Sequence, residues 1–397
     1  MPLLSVIIPT HNRAKYAVST IKSVLSISEL IQVVVTDSSS VDEISSHFQN
    51  LTDQSRLKLI RTSDSISVVE NFNIARQAAD GEYLVFIGDD DFVSSEIVSL
   101  AVWAKTNAVD SLKLNFPVLY YWPDFRHASR GDVYAGTLHV SPFSGKIKSH
   151  SAKNAFWHSL ANFGGGVLEM PRAYAGMLSS SLANEIVNKY GALFGGVSPD
   201  IYSSAIISIE TKNCVTVDFP IVVPGASGES TTGQSASGGH YGKLRENPHI
   251  SPFRDLVWDH RIPEFYSVPT VWSFSLLKAV ELISQIHPDL NPTPNFARLI
   301  LKCFVYHPAE AKRTMMSLQI LFDNYGVWKI LWQIIKATFS EFAWGLSRIR
   351  NRVLARYVKN NVDVYRNLDS TLVAKEALMR HISKVSKRLD FEHVRLR

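Results

Sequence analysis

Residues 83–91 read YLVFIGDDD, an apolar run that ends at three consecutive aspartates. Two other apolar, β-branched runs also end in polar clusters: residues 3–8 lead to 10–13, and residues 31–36 lead to 37–40. Near-continuous apolar strands are typical of a parallel sheet that is buried on both faces. In such sheets ligands bind beyond the carboxyl ends of the strands. We therefore predict that the three polar clusters converge on one edge of a sheet.

Strand-like and helix-like segments alternate with short connections through the first 110 residues. Apolar residues at helical spacing predict helices at residues 14–27, 67–79, 94–106, 151–163 and 201–209. A third short strand is predicted at 57–61, and another strand at 215–223. From about residue 270 the sequence predicts helices to the end. The alternation indicates an α/β fold, a mostly parallel sheet covered by helices, followed by a mainly α-helical C-terminal region.

The composition limits the classes of protein that this chain can represent. Its 397 residues predict two domains, or one domain with a large extension, and 46% hydrophobic residues are enough for a core. A net charge of +5 is mild and predicts no nucleic-acid partner. Cys214 and Cys303 lie far apart, which argues against a disulfide framework or a zinc site. Because the first residues lack signal-peptide features and no apolar run reaches about 18 residues, we expect a cytoplasmic protein, peripheral at most to the inner membrane face.

The three aspartates have two interpretations from the residues alone. Neighbouring carboxylates repel by roughly 3 kcal/mol per pair at about 5 Å and a dielectric of about 20, a cost that a divalent cation removes. The alternative is a solvated acidic turn or a helix cap. Asp37 likewise suits either a nucleotide contact or an Asx-turn, and Asn12 and Arg13 suit ligand contacts or capping of the first helix. Neither a dinucleotide-binding glycine motif nor a phosphate-binding loop is present, which argues against a dehydrogenase and an NTPase of those types.

Three segments together resemble family 2 glycosyltransferases: residues 5–13 (SVIIPTHNR), 33–39 (VVVTDSS) and 80–91 (DGEYLVFIGDDD). They occur in the order and spacing of the family. The resemblance covers residues 3 to 110 well and weakens to about 225. It implies the GT-A fold, a Rossmann-like nucleotide-sugar domain, and a donor that is a nucleoside-diphosphate sugar, most commonly a UDP-sugar.

The resemblance also implies the roles of the strand-end residues. The implied donor-binding residues are Pro9, Thr10, Asn12, Arg13, Asp37 and Asp89. Asp37 would meet the nucleotide base. The implied metal ligands for Mn²⁺ or Mg²⁺ are Asp90 and Asp91. Gly88 occupies the place of the first aspartate of the usual Asp-x-Asp motif, which leaves open which carboxylate touches the metal directly.

Residues 198–202 (SPDIY) resemble the acceptor-side acidic site of the family. The resemblance implies that Asp200 is the general base, whereas a helix N-cap is the structural alternative. An inverting transfer to a hydroxyl of a glycan or lipid-linked glycan acceptor is implied, in the synthesis of a bacterial-type surface polysaccharide. The alternatives are a sugar-nucleotide nucleotidyltransferase and an inactive glycan- or membrane-binding scaffold.

The remainder of the chain carries two further expectations. Residues 225–243, rich in Gly and Ser, would either close over the diphosphate with His240, Lys243 and Arg245 as donors, or serve as a mobile surface linker. Residues 326–360 carry seven bases and one acid among many aromatic residues. Such a segment suits an anionic membrane surface, or a subdomain packed on the core or on a second subunit of a homo-oligomer. We place the catalytic domain at residues 1–245 and the helical region at 246–397.

Overall fold

A computed structural model describes residues 2–51, 53–230, 233, 241–357 and 362–392, without the side chains of residues 54, 344, 349 and 351–357. The strands are Leu4–Thr10 (β1), Ile31–Asp37 (β2), Leu57–Arg61 (β3), Tyr83–Phe86 (β4), Phe92–Val93 (β5), Ser111–Leu114 (β6), Val118–Tyr121 (β7), Thr137–Val140 (β8), Ile147–Ser149 (β9), Met177–Ser179 (β10), Cys214–Val217 (β11), Val222–Val223 (β12), Gly225–Ala226 (β13) and Asp363–Tyr365 (β14). The α-helices are Ala14–Leu25 (α1), Val68–Gln77 (α2), Glu96–Thr106 (α3), Ala152–Ala161 (α4), Ser180–Tyr190 (α5), Pro199–Glu210 (α6), Val268–Ile286 (α7), Phe296–Tyr306 (α8), Ala311–Tyr325 (α9), Val327–Tyr357 (α10) and Thr371–Val385 (α11).

The central sheet has eight strands in the order β3-β2-β1-β4-β10-β6-β11-β9. Strands β3, β2, β1 and β4 are parallel to one another, and β6 is parallel to β11. Strand β10 is antiparallel to both β4 and β6, and β9 is antiparallel to β11. A smaller sheet has the order β13-β7-β8-β14. The predicted α/β class with a mostly parallel sheet is confirmed.

Helices cover both faces of the central sheet, and the strands explain why. Side chains alternate between faces along a strand, so Ile7 packs into one core while Val6 and Ile8 pack into the other. The first core includes residues of α2, α4, α5, α6, α7 and α8. The second includes residues of α1, α3 and α11. Residues on both faces of β1 are therefore buried, as the uninterrupted apolar sequence of this strand predicted.

Three predicted elements differ from the observed ones. Residues 215–223 form two short strands, β11 and β12, because the chain turns between them. Residues 225–226 form strand β13, parallel to β7, although their composition predicted a mobile loop. Helices do not continue unbroken to the C-terminus, because β14 pairs with β8 in the smaller sheet. Backbone pairing partners from distant parts of the chain override the local composition at these places.

The helices after residue 267 pack on the rest of the molecule. Helix α7 contacts α6, α8 contacts α10, and α11 contacts α1. Within the residues that the structure describes, no helix is long and apolar enough to cross a membrane.

Candidate active site

The three predicted polar clusters meet at the carboxyl edge of the central sheet. Strands β1 and β2 are in register, so Thr10 lies beside Asp37. The Ser38 backbone N–H donates to the Thr10 carbonyl oxygen over 3.1 Å, and the Thr10 hydroxyl donates to Asp89 Oδ2 over 2.6 Å. The predicted convergence of these segments is therefore present in the structure.

Arg13 holds two of the three aspartates. Its Nε lies 3.0 Å from Asp89 Oδ1, and its Nη2 lies 2.8 Å from Asp90 Oδ2. Both carboxylates are buried, with exposed fractions of 6% and 5%. Burial raises the pKa of Asp89 to about 7, against the opposing field of Arg13. One guanidinium thus compensates a buried cluster of three carboxyl groups, which leaves the cluster short of positive charge.

Asp91 accepts hydrogen bonds on both of its oxygens. The Gly225 N–H donates to Oδ1 over 2.7 Å, and the Gly88 N–H donates to Oδ2 over the same distance. The Tyr174 hydroxyl also reaches Oδ2, at 3.3 Å. Burial, followed by the charge of Asp90, raises the pKa of Asp91 to about 7. Its role as a metal ligand stays a prediction, but its bonds fix the backbone around the cluster.

The start of the Gly/Ser-rich segment lies directly on this cluster. Ser227 donates to Asp90 Oδ2 from its hydroxyl over 2.7 Å and from its backbone N–H over 3.2 Å, and its hydroxyl accepts from Arg13 Nη2 over 2.7 Å. Gly225 and Ser227 therefore contact the aspartate cluster, and the closure of this segment over a diphosphate stays a prediction. His240, also predicted as a donor, lies outside the described residues. Lys243 and Arg245 form ion pairs with Glu246 and Glu264.

Gly225 is the residue that allows this close approach. A Cβ at this position would lie 1.9 Å from the Asp90 carbonyl oxygen. We expect Gly225→Ala to destabilise the fold by about 1–3 kcal/mol through overpacking, as measured by chemical denaturation. Gly345→Ala is the control: no atom lies within 4 Å of a Cβ there, and alanine favours a helix interior. Equal stability of the Gly225→Ala variant and the wild type would contradict the expected clash.

Asp37 and Asn12 connect neighbouring loops at the sheet edge. Asp37 forms an ion pair with Arg61 at the end of β3, and its Oδ1 accepts from the Ser39 N–H over 2.9 Å. The Asn12 backbone N–H donates to Ser39 Oγ over 2.6 Å. Asn12 has a left-handed φ of 54°, which asparagine tolerates. Neither Asn12 nor Arg13 caps α1 with its side chain, so capping does not explain them.

Two predicted residues have less specific positions. Pro9 lies in β1 opposite Thr36 and is partly exposed. Asp200 lies in the first turn of α6, directly after Pro199. Burial raises the pKa of Asp200, and the positive charge of Arg172 opposes that effect. The N-cap position, which was the structural alternative for Asp200, belongs to Ser198, and no described side chain caps α6.

The segment around Arg172 and Tyr174 interacts electrostatically with both Asp200 and the aspartate cluster. The Phe86 N–H donates to the Ala173 carbonyl oxygen, and the Ala175 N–H donates to the Phe86 carbonyl oxygen, so this segment runs along the end of β4. Burial raises the pKa of Tyr174 well above its usual value, and the charges of Asp91 and Asp200 add to the effect. Sequence reasoning missed both residues, because a single Arg-x-Tyr carries no motif signal.

The donor atoms fit a divalent ion only in part. In the portion of the chain that the structure describes, no three His, Cys, Asp or Glu side chains are grouped to hold a metal. Asp90 Oδ2 is bound by Arg13 and Ser227, whereas Asp90 Oδ1 makes no hydrogen bond or ion pair with the described residues. Mg²⁺ is usually held by one or two carboxylates together with substrate phosphates. The site therefore fits an ion shared between Asp90 and a diphosphate, and not an all-protein cage.

Comparisons with known proteins agree with the N-terminal motifs. Residues 5–116 match the family model described as "Glycosyl transferase family 2". A Haemophilus influenzae protein described as an uncharacterized glycosyltransferase is 32% identical over 98 residues, which are 24% of this chain and 39% of that protein. The chain thus matches about two fifths of the length of this relative.

Solved structures resemble the chain more distantly. Staphylococcus aureus TarS, residues 1–349, in complex with UDP-GlcNAc is 15% identical with a TM-score of 0.43, covering 85% of this chain and 79% of that one. The mannosyltransferase PcManGT from Pyrobaculum calidifontis, in complex with GDP-Man and Mn²⁺, is 14% identical with a TM-score of 0.37, covering 83% and 88%. These likenesses are too low to carry a ligand or a reaction across. Residues 5–116, which include both β1 and the aspartate cluster, are thus the part of the chain that is similar to glycosyl transferase family 2.

Proposed function

We propose that this chain transfers a sugar from a nucleoside-diphosphate sugar to an acceptor hydroxyl, with inversion at the anomeric carbon. The observation that carries the proposal is the buried aspartate cluster at the end of β4, inside the family-matched region and compensated by one arginine. A further carboxylate, Asp200, acts on the buried Tyr174 hydroxyl together with this cluster. The aspartate cluster and Asp200 have separate partners, which suits two separate tasks: binding of the donor diphosphate and deprotonation of the acceptor hydroxyl.

Asp200 is the proposed general base. Its carboxylate takes the proton of the acceptor hydroxyl, whose oxygen attacks the anomeric carbon while the bond from that carbon to the diphosphate oxygen breaks. The diphosphate leaves with the bonding electron pair, and one glycosidic bond replaces one phosphoester bond. A positioned base typically contributes about 10²–10⁴-fold. Burial raises the pKa of Asp200, as suits a group that accepts a proton, and the charge of Arg172 opposes that shift.

The donor side of the proposed site consists of strand-end groups. Asp37, held by Arg61 and Ser39, presents its carboxylate at the end of β2 as an acceptor for a uracil N–H or a ribose hydroxyl, which agrees with a UDP-sugar. Pro9, Thr10, Asn12 and Arg13 border the same edge. Asp89 is held by Thr10 and Arg13, so its proposed effect on the donor is to fix Arg13 beside the phosphates.

Mn²⁺ or Mg²⁺ is part of the proposal, with Asp90 as the first ligand and Asp91 as the second. When bound, such an ion would offset the charge that develops on the leaving diphosphate. Arg13 and Ser227 both bind Asp90 Oδ2. Because Asp90 Oδ1 makes no hydrogen bond or ion pair with the described residues, we propose it as the atom that would bind the ion.

The proposed acceptor is a glycan or a lipid-linked glycan, and the proposed process is the synthesis of a surface polysaccharide. The match of residues 5–116 to the family model supports this class. The proposed catalytic domain comprises residues 1–245, which include the carboxylates named above. The helical region from residue 246 supports it through the contact between α7 and α6, where Ser275 Oγ accepts from the backbone N–H groups of Val197 and Ser198 just before Asp200.

A screen of nucleotide sugars tests the proposal. We expect one UDP-sugar to stabilise the protein by about 2.7 kcal/mol at a hundredfold excess over its Kd, with Mn²⁺ present, and to be hydrolysed slowly to UDP. Thermal melting and the release of nucleoside diphosphate would be measured with Mn²⁺, with Mg²⁺ and with chelator. Pyrophosphate release from a nucleoside triphosphate and a sugar phosphate would instead show a nucleotidyltransferase. No binding of any nucleotide sugar would indicate a scaffold.

A further inference from the structure

Helix α10 carries a continuous apolar face that no described residue covers. We call it the aromatic face, and its members are Trp328, Trp332, Ile335, Phe339, Phe342 and Leu346. They follow one another at spacings of four and three residues, which places them on one side of a helix. Trp328 is 86% exposed, Phe339 72% and Phe342 66%. Large aromatic side chains are rarely so exposed in a row unless they form a contact surface.

The opposite side of α10 holds the helix on the rest of the molecule. Ile330 and Ala337 are buried, and α10 packs on α8 and α9. Glu341, the only acid in α10, forms an ion pair with Arg298 of α8 at 2.8 Å. The sequence left open whether this segment packs as a subdomain or binds a membrane surface. Helix α10 has one packed side and one exposed side, so the two interpretations do not exclude each other. The aromatic face therefore points away from the core.

Positive charge borders the aromatic face. Lys329 and Lys336 lie about one helical turn to either side of Trp332, and both are exposed. Lys336 Nζ lies 5.2 Å from the ring centre of Trp332. Because Glu341 is paired with Arg298 on the opposite side, it does not offset these two lysines. Two copies of this surface would bring lysines together without acids to pair with them.

We propose that the aromatic face docks on the surface of an anionic lipid bilayer. The aromatic rings would enter the interfacial region while the lysines contact lipid phosphates, as in amphipathic helices that lie in the plane of a membrane. Charge complementarity selects the bilayer over a second copy of this chain. The aromatic face lies outside the proposed transferase site. Its binding to a bilayer does not depend on which sugar is transferred.

Vesicle binding of the full chain tests the proposal. We expect co-sedimentation with vesicles of phosphatidylglycerol and phosphatidylcholine, weakened by salt, and little binding to phosphatidylcholine alone. Lys329→Gln with Lys336→Gln should weaken binding about fivefold for each base removed. Trp328→Ser with Phe339→Ser should weaken it at least about tenfold, because exposed aromatic area no longer enters the interface. These side chains are exposed, so the variants should fold.

Matched changes elsewhere on the surface serve as controls. Lys22→Gln with Lys153→Gln removes two other exposed bases, and Trp157→Ser removes an exposed aromatic residue of α4. Both should bind vesicles as the wild type does. Equal loss in these controls, equal binding to neutral vesicles, or no vesicle binding overturns the proposal. A dimer in light scattering that dissociates in the Trp328→Ser, Phe339→Ser variant, without vesicle binding, would assign the face to a second copy.

Discussion

Asp200→Asn is expected to lower kcat by about 10²–10⁴-fold while donor binding stays nearly unchanged. An amide cannot take the proton of the acceptor hydroxyl, whereas the aspartate cluster that faces the donor is untouched. Burial raises the pKa of Asp200, so the wild-type kcat should fall as the pH drops through that raised pKa, because the base becomes protonated. The Asn variant should lack this acid limb. Steady-state transfer assays between pH 5 and 8, with donor Kd from titration, measure both effects.

Glu96→Gln is the control for a purely structural effect of Asp200. Glu96 also lies in the first turn of a helix, α3, where a negative charge interacts favourably with the helix dipole. Both variants should lose a similar, small amount of stability, but only Asp200→Asn should lose turnover. A collapse of donor affinity with unchanged turnover at saturation would show that Asp200 is not the base.

Asp90→Asn is expected to abolish transfer, by at least about 10³-fold in kcat/KM. Stabilisation of the leaving diphosphate by a bound ion amounts to several kcal/mol, and about 1.4 kcal/mol corresponds to a factor of ten. The variant also removes the charge of one of the two anionic partners of Arg13. Mn²⁺-dependent thermal stabilisation by UDP should be lost with it. Isothermal titration of UDP with and without Mn²⁺ separates binding from chemistry.

Asp124→Asn is the matched control for this variant. Asp124 accepts from the Gly228 N–H of the same loop at 3.2 Å and pairs with Lys15 and Tyr16, but it has no contact with Asp90. Its replacement should reduce activity far less than that of Asp90, and Mn²⁺-dependent binding of UDP should persist. Full activity of Asp90→Asn in chelator would refute both the ligand and the proposed ion.

The parallel half of the central sheet could be predicted from the sequence. Strands β1 to β4 are short apolar runs between polar clusters, and their burial on both faces is a local property of those residues. The position of Asp37 and Asp89 at strand ends follows from the same runs. Beyond residue 110 the strands are shorter and their order in the sheet departs from the order in the chain, so β10 and β13 were not predicted.

The partners of the aspartates depended on contacts between distant residues. Arg13 and Ser227 are 214 positions apart, yet both bind Asp90. Arg172 and Tyr174 reach the site because their segment bonds to the end of β4, and Asp200 is placed by α6 packing on α7. Residue periodicity reports which side chains are buried, because burial repeats along each strand or helix. It does not report which buried groups meet, because that follows from the order of strands in the sheet and the packing of the helices against it.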